Sequence, residues 1–238
     1  MGDVGDATRS PEYNSGVADD PIQIRPYESA DLDDLYRICL QTADNGQDAT
    51  TLVTDPMLPG YVFAAPYGIF EPSLAWVAED EAGAAGYVVG ALDTPAFEER
   101  LERDWWPALR ARYPDPRHLT GTLSGLERLC LHAIHEPFTT DPALVSNYPS
   151  HLHIDLLPRL QGRGLGRRLI ETLFAALRAS RSRGVHLHVG SANQRAAAFY
   201  RHVGMTELPA DGPRVFAMTL AGADDWMLDV AQAEPPVI

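Results

Sequence analysis

The chain has 238 residues, 45% of them hydrophobic, 22% charged and 8% aromatic, a globular balance that excludes a wholly disordered protein. Nineteen basic residues against 33 acidic ones give a net charge of −14, which argues against generic nucleic-acid or anionic-membrane binding. No apolar run reaches the roughly 18 residues a membrane span needs, no secretory signal opens the chain, and two cysteines, Cys39 and Cys130, are too few for a disulfide scaffold. A cytoplasmic location is the expectation.

Residues 1–20 are polar and acidic and read as a disordered leader. Ile22–Pro26 alternates as a short strand, and Leu32, Leu35, Tyr36 and Cys39 recur at helical spacing, predicting a helix over 30–41. The stretch 43–73, with four prolines, reads as an aromatic-rich loop. Residues 74–78 and 86–92 form a predicted hairpin. A helical pattern follows over 95–112, then a turn-rich stretch over 113–149 with five prolines. The C-terminal part alternates: strand 151–157, helix 163–180, strand 185–189, helix 193–203 and strand 214–220. An acidic tail over 222–238 includes Trp226. One α/β domain over 21–221 is the simplest organisation.

All 19 basic residues are arginines, and they are unevenly placed. Residues 159–201 hold nine arginines against one acid, a local +8 in a chain that is −22 elsewhere. Inside this island a strand feeds Gln161-Gly162-Arg163-Gly164-Leu165-Gly166-Arg167-Arg168, which opens a helix. Glycines let backbone approach a ligand, and the unpaired N–H groups with the helix dipole make an anion site suited to a pyrophosphate. No Gly-Lys-Ser/Thr follows, so it is not a Walker loop, and the glycine spacing is not a dinucleotide fingerprint.

Period two along His151–Leu157 places His151, His153 and Asp155 on one strand face, and His186 and His188 share a face on the next strand. Such faces are solvated on an edge strand and line a cleft on a central one. Asp155 and His153 are the preferred general-base candidates. Two H-x-H pairs could in principle hold zinc, but no metal is the expectation. Trp105, Trp106 and the carboxylate Asp48 are candidates for acceptor recognition.

These motifs resemble the GNAT N-acetyltransferase superfamily. Gln161-Gly-Arg-Gly164-Leu-Gly166, preceded by Pro158, matches its Q/R-x-x-G-x-G/A acetyl-CoA motif, and Asn193, Ala196, Phe199-Tyr200 and Gly204 match its second motif. Further segments, among them Leu58-Pro-Gly60, Ala64-Ala-Pro-Tyr67 and Trp105-Trp106-Pro107, look like the acetyltransferase-like C-terminal domain of O-GlcNAc hydrolases. The resemblance implies an acyl-CoA N-acyltransferase fold, an α+β mixed, mostly antiparallel sheet flanked by helices, with an insert over 94–150 between strands three and four. It implies acetyl-CoA as cofactor, with backbone N–H groups from Gly162 to Arg167 on the pyrophosphate. The backbone of Leu156 and Leu157 would pair with the pantetheine arm, Asn193 would bond the arm, and Tyr200 would protonate the departing thiolate. The acceptor, an unidentified amine on a protein, small molecule or aminosugar, would attack directly in a ternary complex. A monomer or homodimer that binds neither nucleic acid nor membrane is expected. The alternative is a non-catalytic acetyl-CoA-binding or protein-interaction module.

Overall fold

Among the described residues seven strands form one sheet, and their registers decide which side chains meet. The computed structural model describes residues 22–220; the leader expected at 1–20 and the tail expected at 222–238 lie outside the described residues. The strands are β1 (Gln23–Pro26), β2 (Ala75–Asp80), β3 (Gly83–Ala91), β4 (Ser150–Leu156), β5 (Gly184–Val189), β6 (Thr206–Leu208) and β7 (Arg214–Thr219). Their order is β1-β2-β3-β4-β5-β7-β6, antiparallel throughout except for β4 beside β5. A parallel pair needs a crossover, and helix α8 (Leu165–Ala179, numbered in chain order with those below) supplies it.

The sheet buries two different faces. On one, Leu152 lies opposite Gly90 and Leu156 opposite Gly86. A Cβ at Gly90 would meet Leu173 Cδ1 at 3.0 Å, so the missing side chain lets α8 settle on the sheet. Helix α8 covers this face with Leu165, Leu169, Ile170, Leu173, Phe174 and Leu177, all buried. Each such side chain contributes about 1.5–3 kcal/mol of burial free energy. The opposite face of β3 and β4 carries Tyr87, His151, His153 and Asp155. It is covered by α1 (Leu32–Leu40), α2 (Leu58–Phe63) and α3 (Ala65–Phe70). This mixed, mostly antiparallel sheet between helices is the architecture expected from the sequence.

The helical content was partly hidden. Residues 43–73 hold α2 and α3 rather than a continuous loop, because Pro59 and Pro66 sit in first turns, where no N–H is needed. The 95–112 pattern is two helices, α4 (Thr94–Asp104) and α5 (Trp106–Arg112), broken before Pro107. The turn-rich 113–149 contains α6 (Gly125–His135) and α7 (Pro142–Asn147), started by the side-chain caps Ser124 and Asp141. Together α4, α5, α6 and α2 enclose a second apolar cluster that includes Leu58, Phe97, Leu101, Trp106, Leu131 and Ile134. The short strand β6 was not anticipated. Helix α9 (Gln194–His202) follows β5. No helix among the described residues is long and apolar enough to cross a membrane.

Candidate active site

Strands β4 and β5 pair at Ser150↔Val185 and His151↔His186 and no further, although β4 continues to Leu156 and β5 to Val189. The sheet therefore splits along its centre. A groove of about 1900 Å³ runs through the split, lined by both strands, the glycine loop, α9 and the 94–150 insert.

Backbone direction follows from one bond. The Leu157 N–H donates to the Ala85 carbonyl at 2.8 Å. With the antiparallel register, residues 151, 153 and 155 bond β3 while Ile154 and Leu156 turn their N–H groups into the split. Of the two positions expected to face a ligand arm, Leu156 turns its N–H into the split. Leu157 does not, because β3 already holds its N–H and its carbonyl accepts from Leu160 N–H at 3.0 Å. Ile154, which sequence reasoning missed, turns its N–H the same way as Leu156; only the β3 register reveals it. Gln161 Nε2 donates to the Leu156 carbonyl at 2.7 Å and ties the loop to this edge.

Gly162 and Gly164 both adopt φ of 75°, a conformation costing other residues roughly 1–2 kcal/mol. No atom lies within 4 Å of a Cβ built at either, so both face open space. Gly166 differs: a Cβ there would meet Phe199 Cζ at 3.1 Å, so it serves helix packing. Gly164 caps α8 and its carbonyl first accepts from Arg168 N–H. The N–H groups of Leu165, Gly166 and Arg167 thus lack helical acceptors at the groove mouth. Among the described residues the guanidinium groups of Arg163 and Arg195 have no ion-pair partner. Other members of the basic island are engaged: Arg159 with Asp80, Arg167 with Glu171 and Arg201 with Glu207.

The four β4 and β5 histidines and Asp155 do share one face, but their roles divide. Thr94 Oγ1 donates to the Pro149 carbonyl at 2.7 Å, so it can only accept from His151 Nδ1–H at 2.8 Å, and Tyr67 hydroxyl then donates to Nε2 at 2.9 Å. His186 donates Nδ1–H to the Tyr148 carbonyl at 2.7 Å. Burial lowers the pKa of His151 to about 3 and that of His186 to about 4, so both are neutral struts. Both nitrogens of His151 and Nδ1 of His186 are thus committed, and no group of three or more His, Cys, Asp or Glu among the described residues is placed to hold a metal.

Two of these four imidazoles are left open among the described residues: His188, exposed on β5, and His153, enclosed on β4 beside Asp155. Among the described residues His153 Nδ1 is enclosed without a partner and Nε2 makes no hydrogen bond, and the ring lies 5.7 Å from that of Phe63. Burial lowers the His153 pKa, opposed by the charge of Asp155 two residues on. Burial raises the Asp155 pKa, opposed by His153 and by the Tyr87 hydroxyl, which donates to Oδ2 at 2.5 Å. Tyr87 lies opposite Asp155 on β3, another partner visible only through register.

Tyr200, on α9, lines the groove, is 8% exposed, and has no hydrogen-bond partner for its hydroxyl among the described residues. Burial and then the Asp155 charge raise its pKa, so the phenol stays protonated. Asn193 Oδ1 accepts from Ala196 N–H at 2.9 Å as the cap of α9, leaving its amide NH₂ to donate. The acceptor candidates fare differently. Asp48 is fully exposed, accepts from Thr50 N–H and Oγ1 as a turn, and does not line the groove. Trp105 donates Nε1–H to the Tyr61 carbonyl at 2.9 Å and packs on Phe70, away from the groove. Trp106 is buried and does line it.

Comparison with known proteins agrees with this geometry. The acetyltransferase (GNAT) family model matches residues 130–205. Protein O-GlcNAcase of Rattus norvegicus is 26% identical over 190 residues, 78% of this chain and 20% of that protein. The chain thus spans about a fifth of the length of the curated relatives it matches. The crystal structure of SsHAT is 40% identical with a TM-score of 0.75, covering 84% of this chain and 98% of that one. A phosphinothricin acetyltransferase of Sinorhizobium meliloti in complex with AcCoA shares the fold at 16% identity and a TM-score of 0.51, covering 85% and 91% of the two chains.

Proposed function

The chain belongs to the acetyltransferase (GNAT) family, and from that premise we propose that it moves an acetyl group from acetyl-CoA to an amine by direct attack in a ternary complex. The observation that carries the reading is the split between β4 and β5, with a glycine-capped helix at one end and His153, Asp155 and Tyr200 along it. The residues present suit a CoA thioester. Open space in front of Gly162 and Gly164 and the first N–H groups of α8 fit a pyrophosphate, aided by Arg163 and Arg195. Ile154 and Leu156 offer N–H groups to an amide-bearing arm, and the Asn193 amide adds another donor.

Acetyl-CoA supplies an activated acetyl carbonyl that an amine nitrogen can attack. His153, neutral at pH 7, accepts the amine proton at Nε2. Asp155, held by Tyr87, offsets the charge the imidazole gains. Tyr200 donates its hydroxyl proton to the departing sulfur. Neither cysteine serves as a nucleophile: Cys39 is buried with its thiol pushed well above the usual range, and burial raises Cys130 to about 12.

The test is free-thiol release from acetyl-CoA with and without amines. Amine-dependent release supports the transferase. Binding of acetyl-CoA with thiol release no faster than in buffer, whichever amine is added, would instead identify a binding module.

A further inference from the structure

We infer that the acceptor is a primary amine carried on an aromatic or other apolar framework, rather than a polyamine or an aminosugar. This rests on the transferase reading above and names its second substrate. The insert contributes Phe97, Leu101, Trp106 and the exposed Leu129 and Phe138 to the groove lining, and Phe97 packs on Tyr67 and on His151 of β4. Phe138 is 60% exposed and Leu129 43%. Large hydrophobic side chains this open to water mark a binding surface when they gather on a groove. The described residues include two others of this kind, Ile69 and Leu119, and neither lines the groove.

This part of the lining is held in place. Glu98 accepts from Thr140 N–H at 3.1 Å and from Thr140 Oγ1 at 2.6 Å, and Asp141 caps α7, so the segment bearing Phe138 is pinned at both partners. Arginine is confined to one part of the lining. Arg167 and Arg195 sit in the first turns of α8 and α9, whereas the insert contributes Glu98 and Asp141 and no arginine; Asp44, Asp155 and Asp211 add further carboxylates elsewhere in the groove. A cationic amine with an apolar body matches both properties. A polyamine would leave the aromatic wall uncovered, and a sugar would set hydroxyl groups against it without partners. Acetylation forms one N–C bond and breaks the thioester C–S bond; of the two protons the ammonium loses, one ends on the departing CoA thiol and one passes to solvent.

The experiment measures kcat/KM of the full chain for 2-phenylethylamine, spermidine, glucosamine and a blocked lysine peptide, with acetyl-CoA affinity determined by calorimetry alongside. Phenylethylamine is expected to exceed each of the others by at least about tenfold. Phe138→Ser, an exposed substitution, should raise its KM about tenfold, the loss expected for one aromatic contact, with acetyl-CoA affinity unchanged. Acetyl-CoA binding with spermidine, glucosamine or the peptide preferred, or with an unmoved KM in Phe138→Ser, overturns the inference. Absence of acetyl-CoA binding, or binding with no amine acetylated, would overturn the reading beneath it.

Discussion

Gly164→Val is expected to weaken acetyl-CoA binding at least about a hundredfold while the fold survives. Two features of the loop separate these effects. The position has φ of 75°, where a β-branched residue is strained, so a stability loss of roughly 1–2 kcal/mol is expected. That strain leaves most of a typical stability of about 5–15 kcal/mol. No protein atom lies within 4 Å of the new Cβ, so the side chain intrudes on the space in front of the loop rather than on the core. A hundredfold change corresponds to about 2.7 kcal/mol, comparable to losing charge-assisted bonds from the helix N-terminus. Calorimetry and a thermal melt on the same sample decide it. Affinity within about threefold of wild type would mean that the loop does not hold the cofactor. Gly166 is a poorer test, since a Cβ there presses on Phe199 and Leu156 and confuses folding with binding.

His153→Gln should lower kcat by about 10²- to 10⁴-fold, the usual worth of a positioned general base, and leave acetyl-CoA affinity within about twofold. The pH profile carries the sharper signature. The imidazole works as a base only when neutral, and burial moves its pKa below 6.5. Wild-type activity should therefore persist below pH 6.5 and fall along an acid limb that the variant lacks. Asp155→Asn removes the charge that raises the His153 pKa, so its acid limb should move to still lower pH with a smaller loss of rate. A wild-type kcat in His153→Gln would remove this residue from the mechanism.

The parts of the site legible in the sequence were those with local chemistry. Glycines at 162 and 164 announce left-handed backbone at a helix start, and period two along β4 places His153 and Asp155 together without any tertiary knowledge. What stayed hidden depends on neighbours distant in the chain. That Ile154 faces the split and Leu157 does not follows from the pairing of Leu157 with Ala85. The separation of His151 and His186 from His153 follows from Thr94, Tyr67 and Tyr148. The stretch 43–73 misled for a different reason: Pro59 and Pro66, which read as loop markers, occupy helix first turns. Asp48 misled because a carboxylate in a loop is as readily the anchor of its own turn, here through Thr50. The average charge of −14 hid a basic island in which Arg159, Arg167 and Arg201 are paired to acids, while Arg163 and Arg195 have no ion-pair partner among the described residues.

The central claim, that acetyl-CoA lies along the split between β4 and β5, is tested most directly by residue-resolved amide hydrogen exchange of the full chain with and without acetyl-CoA. The amides of Ile154, Leu156 and the 162–167 loop should exchange readily in the free protein and slow on addition of acetyl-CoA, while Leu157, bonded to Ala85, should be protected in both states. Protection confined to another surface, or none along β4 and the loop at saturating acetyl-CoA, would contradict it.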